Sequence, residues 1–189
     1  MLTFVRAGGL SGERRPQSTT LQTRRLQLGF TLLELVIVVA IIGILVAIAM
    51  PGFQRSRVRA QVAEGLSMGA QSEAPVAHAF VHQGEAPLDR IEAGMSATPT
   101  DTFGKYVQSV DVQSGVLVIT FGNDANKAIN GQTVTLTPYE TANFGVVWRC
   151  GLANAPSGLN TLGTSGGRRS AAYIAPTVPL QYLPAACRP

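Results

Sequence analysis

Residues 30–50, FTLLELVIVVAIIGILVAIAM, are an unbroken apolar run in which Glu34 is the only charged group. As a helix rising 1.5 Å per residue, the run would span roughly 30 Å, the thickness of bilayer hydrocarbon. Two ordinary readings compete. Arginines precede the run and Ala47-Ile48-Ala49 mimics an A-x-A cleavage site, as in a secretory signal peptide, but such a core is usually about 7 to 15 residues and carries no carboxylate near its start. A plain membrane anchor is the other. Neither accounts for Glu34, because an ionised carboxylate in the bilayer core costs about 2.5 to 3.5 kcal/mol and normally pairs or marks a functional site. It needs a cationic partner, and the nearest source would be an amine created by cutting the chain just before Phe30.

Gly29-Phe30-Thr31-Leu32-Leu33-Glu34-Leu35, followed by the apolar stretch and Pro51, resembles the class III signal of type IV prepilins. Gly precedes the cut, Phe follows it, Glu is the fifth mature residue and Pro the twenty-second. The resemblance implies cleavage between Gly29 and Phe30 by a prepilin peptidase and N-methylation of the new Phe30 amine. It also implies that Glu34 is an assembly contact, neutralising the Phe30 ammonium of a neighbouring subunit. Gly29 suits a scissile position, since it has no side chain and another backbone can approach closely. A low-dielectric helix bundle would strengthen the pair, and loss of either partner would strand a buried charge. Two features depart from the commonest pattern: the leader is 29 residues long, and Leu28 rather than a basic residue precedes Gly29.

The formal charge of +4 changes meaning in this light. Arg6, Arg14, Arg15, Arg24 and Arg25, offset by Glu13, place the whole excess in the leader, whereas residues 30–189 hold ten basic and ten acidic side chains. A neutral mature chain suits close self-packing better than binding to a polyanion. With 46% hydrophobic and 14% charged residues the chain is neither disordered nor an acidic solvating protein, and its 20 glycines show no collagen period.

Residues 52–83 read as an amphipathic helix continuing the first, with Val58, Val62, Leu66 and Ala70 on one stripe and Arg57, Gln61 and Glu64 away from it. Pro51 should kink the junction, Gly43 weaken the helix before it, and Pro75 introduce a bend before an end near Gln83-Gly84. Arg55, Arg57 and Arg59 lie just beyond the apolar run and offset the leader arginines, so positive-inside counting votes weakly on orientation. Residues 84–103 are punctuated as a connecting loop. Residues 105–112, 116–121, 133–137 and 145–149 are strand-like, with turn signals at Gln113-Ser114-Gly115, Asn123-Asp124 and Asn130-Gly131. The expected fold class is α+β, a long N-terminal helix whose first part is transmembrane, packed on a four-stranded antiparallel sheet at 104–149. An irregular region follows at 150–189, with Pro176, Pro179 and Pro184.

Cys150 and Cys187 cannot make a four-ligand zinc site, and no CxxC occurs. Two buried free thiols are one alternative. A disulfide is favoured because everything after Met50 should lie outside the cytoplasm, and closing this loop is worth about 4 kcal/mol by chain entropy. The Trp148-Arg149-Cys150 stretch and the ending from Tyr182 to Arg188 also resemble type IVa pilins, which implies that 150–189 is the family's disulfide-bounded surface region.

Other chemistry is thin. His78 and His82 have metal-ligand spacing at i, i+4 but no third ligand of matching spacing, so solvated or packed histidines are the default and no metal or cofactor is expected. Arg168 and Arg169, with Tyr173 nearby and Arg188 across the cysteine pair, form either a solvated loop or a patch meeting DNA phosphates or a surface by avidity. No H-E-x-x-H, G-x-x-x-x-G-K-[ST] or N-x-[ST] pattern is present. The expectation is therefore not an enzyme but a homopolymer-forming pilus subunit, with the peptidase, an inner-membrane assembly platform and a separate ATPase motor as partners. Its path would run from a single-pass inner-membrane precursor, C-terminus periplasmic, to an extracellular filament for adhesion, twitching motility or DNA uptake. The alternatives are a minor pilin or type II secretion pseudopilin, and a membrane-anchored enzyme or binding module.

Overall fold

The computed structural model describes residues 29–189, so residues 1–28, with the five arginines of the expected leader, lie outside the described residues. The chain divides into two units, Met1–Ile42 and Gly43–Pro189. Helix α1 spans Leu32–Ala70 and α2 spans Glu73–Gln83; strands β1 to β5 are Val107–Gln113, Val116–Phe121, Thr133–Glu140, Val146–Cys150 and Asn160–Thr161. The architecture is a long N-terminal helix with an antiparallel sheet, an α+β fold.

In the first unit, every described side chain is exposed. The apolar window of α1 reaches a mean hydropathy of 3.1 with none of it buried, and it is long enough to cross a bilayer. The backbone stays helical through Pro51.

In the second unit, burial begins at Val58 and continues through Val62, Gly65 and Gly69. The expected stripe through Leu66 and Ala70 is corrected: Leu66 is half-buried and Ala70 exposed. Steps of four residues drift round a helix of 3.6 residues per turn, while the 4-3-4 spacing of the buried residues stays on one face. Glycine at two of those positions lets the helix lie close on β2. A Cβ on Gly65 would stand 2.5 Å from the Phe121 ring, and one on Gly69 would stand 2.3 Å from Ile119 and 3.3 Å from Leu136.

The interruption expected at Pro75 falls instead at Gln71 and Ser72, which separate α1 from α2. Pro75 occupies the first turn of α2, where a missing N–H costs nothing. Gly84 closes α2 with left-handed backbone, φ 70°, its N–H donating to the Phe80 carbonyl at 2.8 Å.

The sheet order is β1-β2-β3-β4, all antiparallel, with β5 added to β3. Ser114 and Gly115, both with positive φ, make the two-residue turn between β1 and β2. The third strand runs past its expected end at Thr137 to Glu140, through Pro138. Proline is tolerated because β2 pairing has stopped at Leu136. There the Pro138 carbonyl need only accept the Leu162 N–H, at 3.1 Å. This vacated edge receives β5, the fifth strand that the sequence reading lacked. The largest wholly buried side chains are Phe121, Leu117, Ile119, Ile129, Leu162 and Leu183, so sheet and C-terminal region share one core.

Candidate functional site

The N-terminal part of the site is built on a helix start. Gly29 and Phe30 precede α1 as non-helical backbone, and Phe30 is 75% exposed. The Glu34 N–H donates to the Thr31 hydroxyl at 3.2 Å, so Thr31 caps the helix and Glu34 stands in its first turn. Thr31-Leu32-Leu33-Glu34 has the T-x-x-E spacing of a capping box, a signal that the sequence reading passed over. A carboxylate here also faces the positive end of the helix dipole. The capping geometry places Glu34 within one turn of Phe30, on a segment whose apolar side chains have no partners among the described residues.

The C-terminal part is built on two covalent and ionic clamps. Cys150, at the end of β4, and Cys187 form a disulfide with Cα atoms 4.7 Å apart. The Leu152 N–H donates to the Cys187 carbonyl at 2.9 Å, so backbone bonding continues beside the bridge. Arg169 reaches both Glu85 and Glu92 at 2.8 Å, joining the glycine-rich loop to the segment after α2. The hydrogen bond from Arg169 pulls the Glu85 carboxyl below its usual range, and the two carboxylates raise the guanidinium's pKa further. Arg188 donates to the Leu183 and Gln181 carbonyls. Of the three arginines expected as a patch, only Arg168 makes no side-chain hydrogen bond or ion pair among the described residues; Tyr173 instead faces the Arg149 guanidinium at 4.4 Å.

His78 and His82 are exposed, their Nε2 atoms 3.1 Å apart. No group of three His, Cys, Asp or Glu that could hold a metal occurs among the described residues.

Two buried charges escaped the sequence reading. Arg90 is 3% exposed and has no acidic partner among the described residues; it donates to the Ser96 carbonyl and hydroxyl, the Thr102 hydroxyl and the Val110 carbonyl. It pins the segment after α2 against β1. Glu140, 5% exposed, accepts from the Gly163 N–H at 2.9 Å, the Ser165 N–H at 2.7 Å and the Ser165 hydroxyl. Satisfied hydrogen bonds make these buried charges tolerable. No sequence spacing links Glu140 to a loop 23 residues on.

Comparison with known proteins agrees with this arrangement. Residues 58–188 match the model of the pilin family, the bacterial filament proteins, and residues 24–50 match the prokaryotic N-terminal methylation motif. The chain is 34% identical over 164 residues to the type IV major pilin protein PilE1 of Neisseria gonorrhoeae, covering 86% of this chain and 88% of that one. It is 36% identical over 166 residues to a fimbrial protein of Neisseria meningitidis serogroup A, covering 86% and 95%. A fimbrial protein of Pseudomonas aeruginosa is 36% identical over 148 residues, covering 69% and 89%. With its methylation motif, its capped apolar helix and its disulfide-closed sheet, the chain belongs to the type IV pilins, a family of structural subunits and not of enzymes.

Proposed function

We propose that this chain is the major subunit of a type IV pilus. It is cut between Gly29 and Phe30 by a prepilin peptidase, N-methylated on Phe30, and polymerised through residues 30–50. The observation that carries this reading is the wholly exposed apolar part of α1 before Pro51, whose one carboxylate, Glu34, stands in the first turn beside Phe30. Cleavage places an ammonium at the positive end of α1, where the dipole disfavours it, and a carboxylate from a neighbouring copy relieves that cost. Pro51 bends the helix where it leaves the bundle. The precursor crosses the inner membrane once with its C-terminus in the periplasm, an oxidising compartment that suits the Cys150–Cys187 bridge. An assembly platform and a separate ATPase motor drive polymerisation, and the extracellular filament serves attachment, twitching motility or DNA uptake. The major-subunit reading draws on relatives whose names say major pilin.

Mass analysis of the N-terminus of the cell-derived protein tests the processing step. A chain starting at methylated Phe30 is expected; one starting at Met1 or Met50 rejects the proposal. Purified surface filaments should consist mainly of this chain, and its confinement to membrane or periplasmic fractions would reject the major-subunit role.

A further inference from the structure

Arg55 and Arg59 of α1 meet Arg188 of the C-terminal segment around a cleft of about 320 Å³, completed by Gly52, Ser56 and Gln181. No acidic side chain lines it. Arg59 and Arg188 both donate to the Gln181 carbonyl, at 3.0 and 3.3 Å, which holds two like-charged guanidiniums side by side. Arg55 has no hydrogen-bond or ion-pair partner among the described residues. Each guanidinium carries five N–H donors, so most remain free, and without an anion the three charges repel. Planar donor forks converging on an open, acid-free cleft match a phosphate group.

Depth says which phosphate. Gly52 lies two residues beyond the apolar run and Arg55 about one turn further, some 4.5 Å along the helix. The headgroup layer outside the hydrocarbon is roughly 5 to 7 Å thick on each side. With residues 30–50 in the hydrocarbon, Gly52 lies about 3 Å, Arg55 about 7.5 Å and Arg59 about 13.5 Å beyond Met50, so the cleft starts among the headgroups and Arg55 stands at their outer edge, facing the lipid phosphates. Phe53 is at the same depth, with Arg57 over its ring at 5.9 Å, and Arg57 does not line the cleft.

We propose that Arg55, Arg59 and Arg188 hold the phosphate of an anionic phospholipid headgroup while the subunit waits in the membrane before assembly. This rests on the membrane-anchored precursor and adds a lipid site to it. The test uses the full-length chain in a neutral detergent, with retained lipid read by native mass spectrometry after addition of dioleoyl phosphatidylglycerol or dioleoyl phosphatidylcholine. Wild type should retain the anionic lipid at least tenfold better. R55Q, which breaks no internal bond, should lose most of that preference, R55Q/R59Q/R188Q all of it, and R57Q none. Equal retention of both lipids, or R57Q falling as far as R55Q, overturns the site. Displacement of the lipid by millimolar inorganic phosphate, or by an oligonucleotide, overturns its assignment to a headgroup. Carbonate extraction of cell membranes reports insertion separately: an inserted chain without lipid preference refutes this inference alone, whereas an extractable chain refutes the anchored precursor as well.

Discussion

Between residues 30 and 50 every side chain is exposed, whereas Phe121, Leu117 and Ile119 in the sheet and Leu183 in the C-terminal region have no exposure at all. Both stretches are apolar, but they complete their burial in different places. The sheet region finds its partners within the chain: Gly65 and Gly69 bring α1 down on β2, Arg90 and Glu140 are satisfied by nearby backbone and hydroxyls, and a disulfide closes the end. The apolar helix has only lipid or other copies of itself to turn to. An isolated subunit is thus a finished fold carrying an unfinished interface, and changes in the two regions should separate cleanly.

The sharpest break is Glu34→Ala. Cleavage and the thermal midpoint of the detergent-solubilised subunit should stay at wild-type values, while filament yield, read from sheared surface fractions, falls by at least about tenfold for the loss of a buried charge pair. Wild-type filament yield would sink the role given to the carboxylate. The mirror experiment is Cys150→Ser with Cys187→Ser, expected to remove about 4 kcal/mol from the second unit in denaturant unfolding. An unchanged midpoint would mean that the bridge is dispensable to the fold.

Gly69→Val tests close packing without touching either end. Added atoms collide with Ile119 and Leu136, so a loss of about 1 to 3 kcal/mol is expected, with helicity retained by circular dichroism. A neutral result would show that α1 shifts freely on the sheet. The smallest effect belongs to Arg169. Its contact lowers the pKa of Glu85 from 4.5, so the contact's stabilisation is present in full above pH 4.5 and fades as pH falls through the lower folded value. Hydrogen-exchange protection of the Ala86 N–H, which donates to the Arg169 carbonyl at 3.0 Å, should weaken below that pH. In Arg169→Gln the protection should be lower and lack this dependence. The same pH dependence in the variant would remove Glu85 from the account.

Local signals made much of this legible. Apolar length, a lone carboxylate, the Gly29-Phe30 junction and the cysteine pair each act over a few residues or through one covalent possibility. The Gln113-Ser114-Gly115 turn was legible too, because a two-residue hairpin needs positive φ at its centre. Several features left no such trace. Leu66 reads as core by its chemistry, yet Gly65 and Gly69 face the sheet, because the helix must come close there and size rather than hydrophobicity decides. β5 is two residues without alternation, recruited where β2 stops. Arg169 reads as a free surface cation until the loop places Glu85 and Glu92 against it.

The sequence by itself determined that the chain carries a membrane-length apolar run with one carboxylate in it, and that its charge excess lies in residues 1–29. Those properties depend on composition and short spacing, which folding does not alter. Only the tertiary structure decided which charges are spoken for. Arg90 and Glu140 are buried and satisfied, Arg169 is paired, and Arg55, Arg59 and Arg188 converge around one cleft. Electrostatic energy depends on distance through space, and Arg188 stands more than 120 positions along the chain from the arginines it meets.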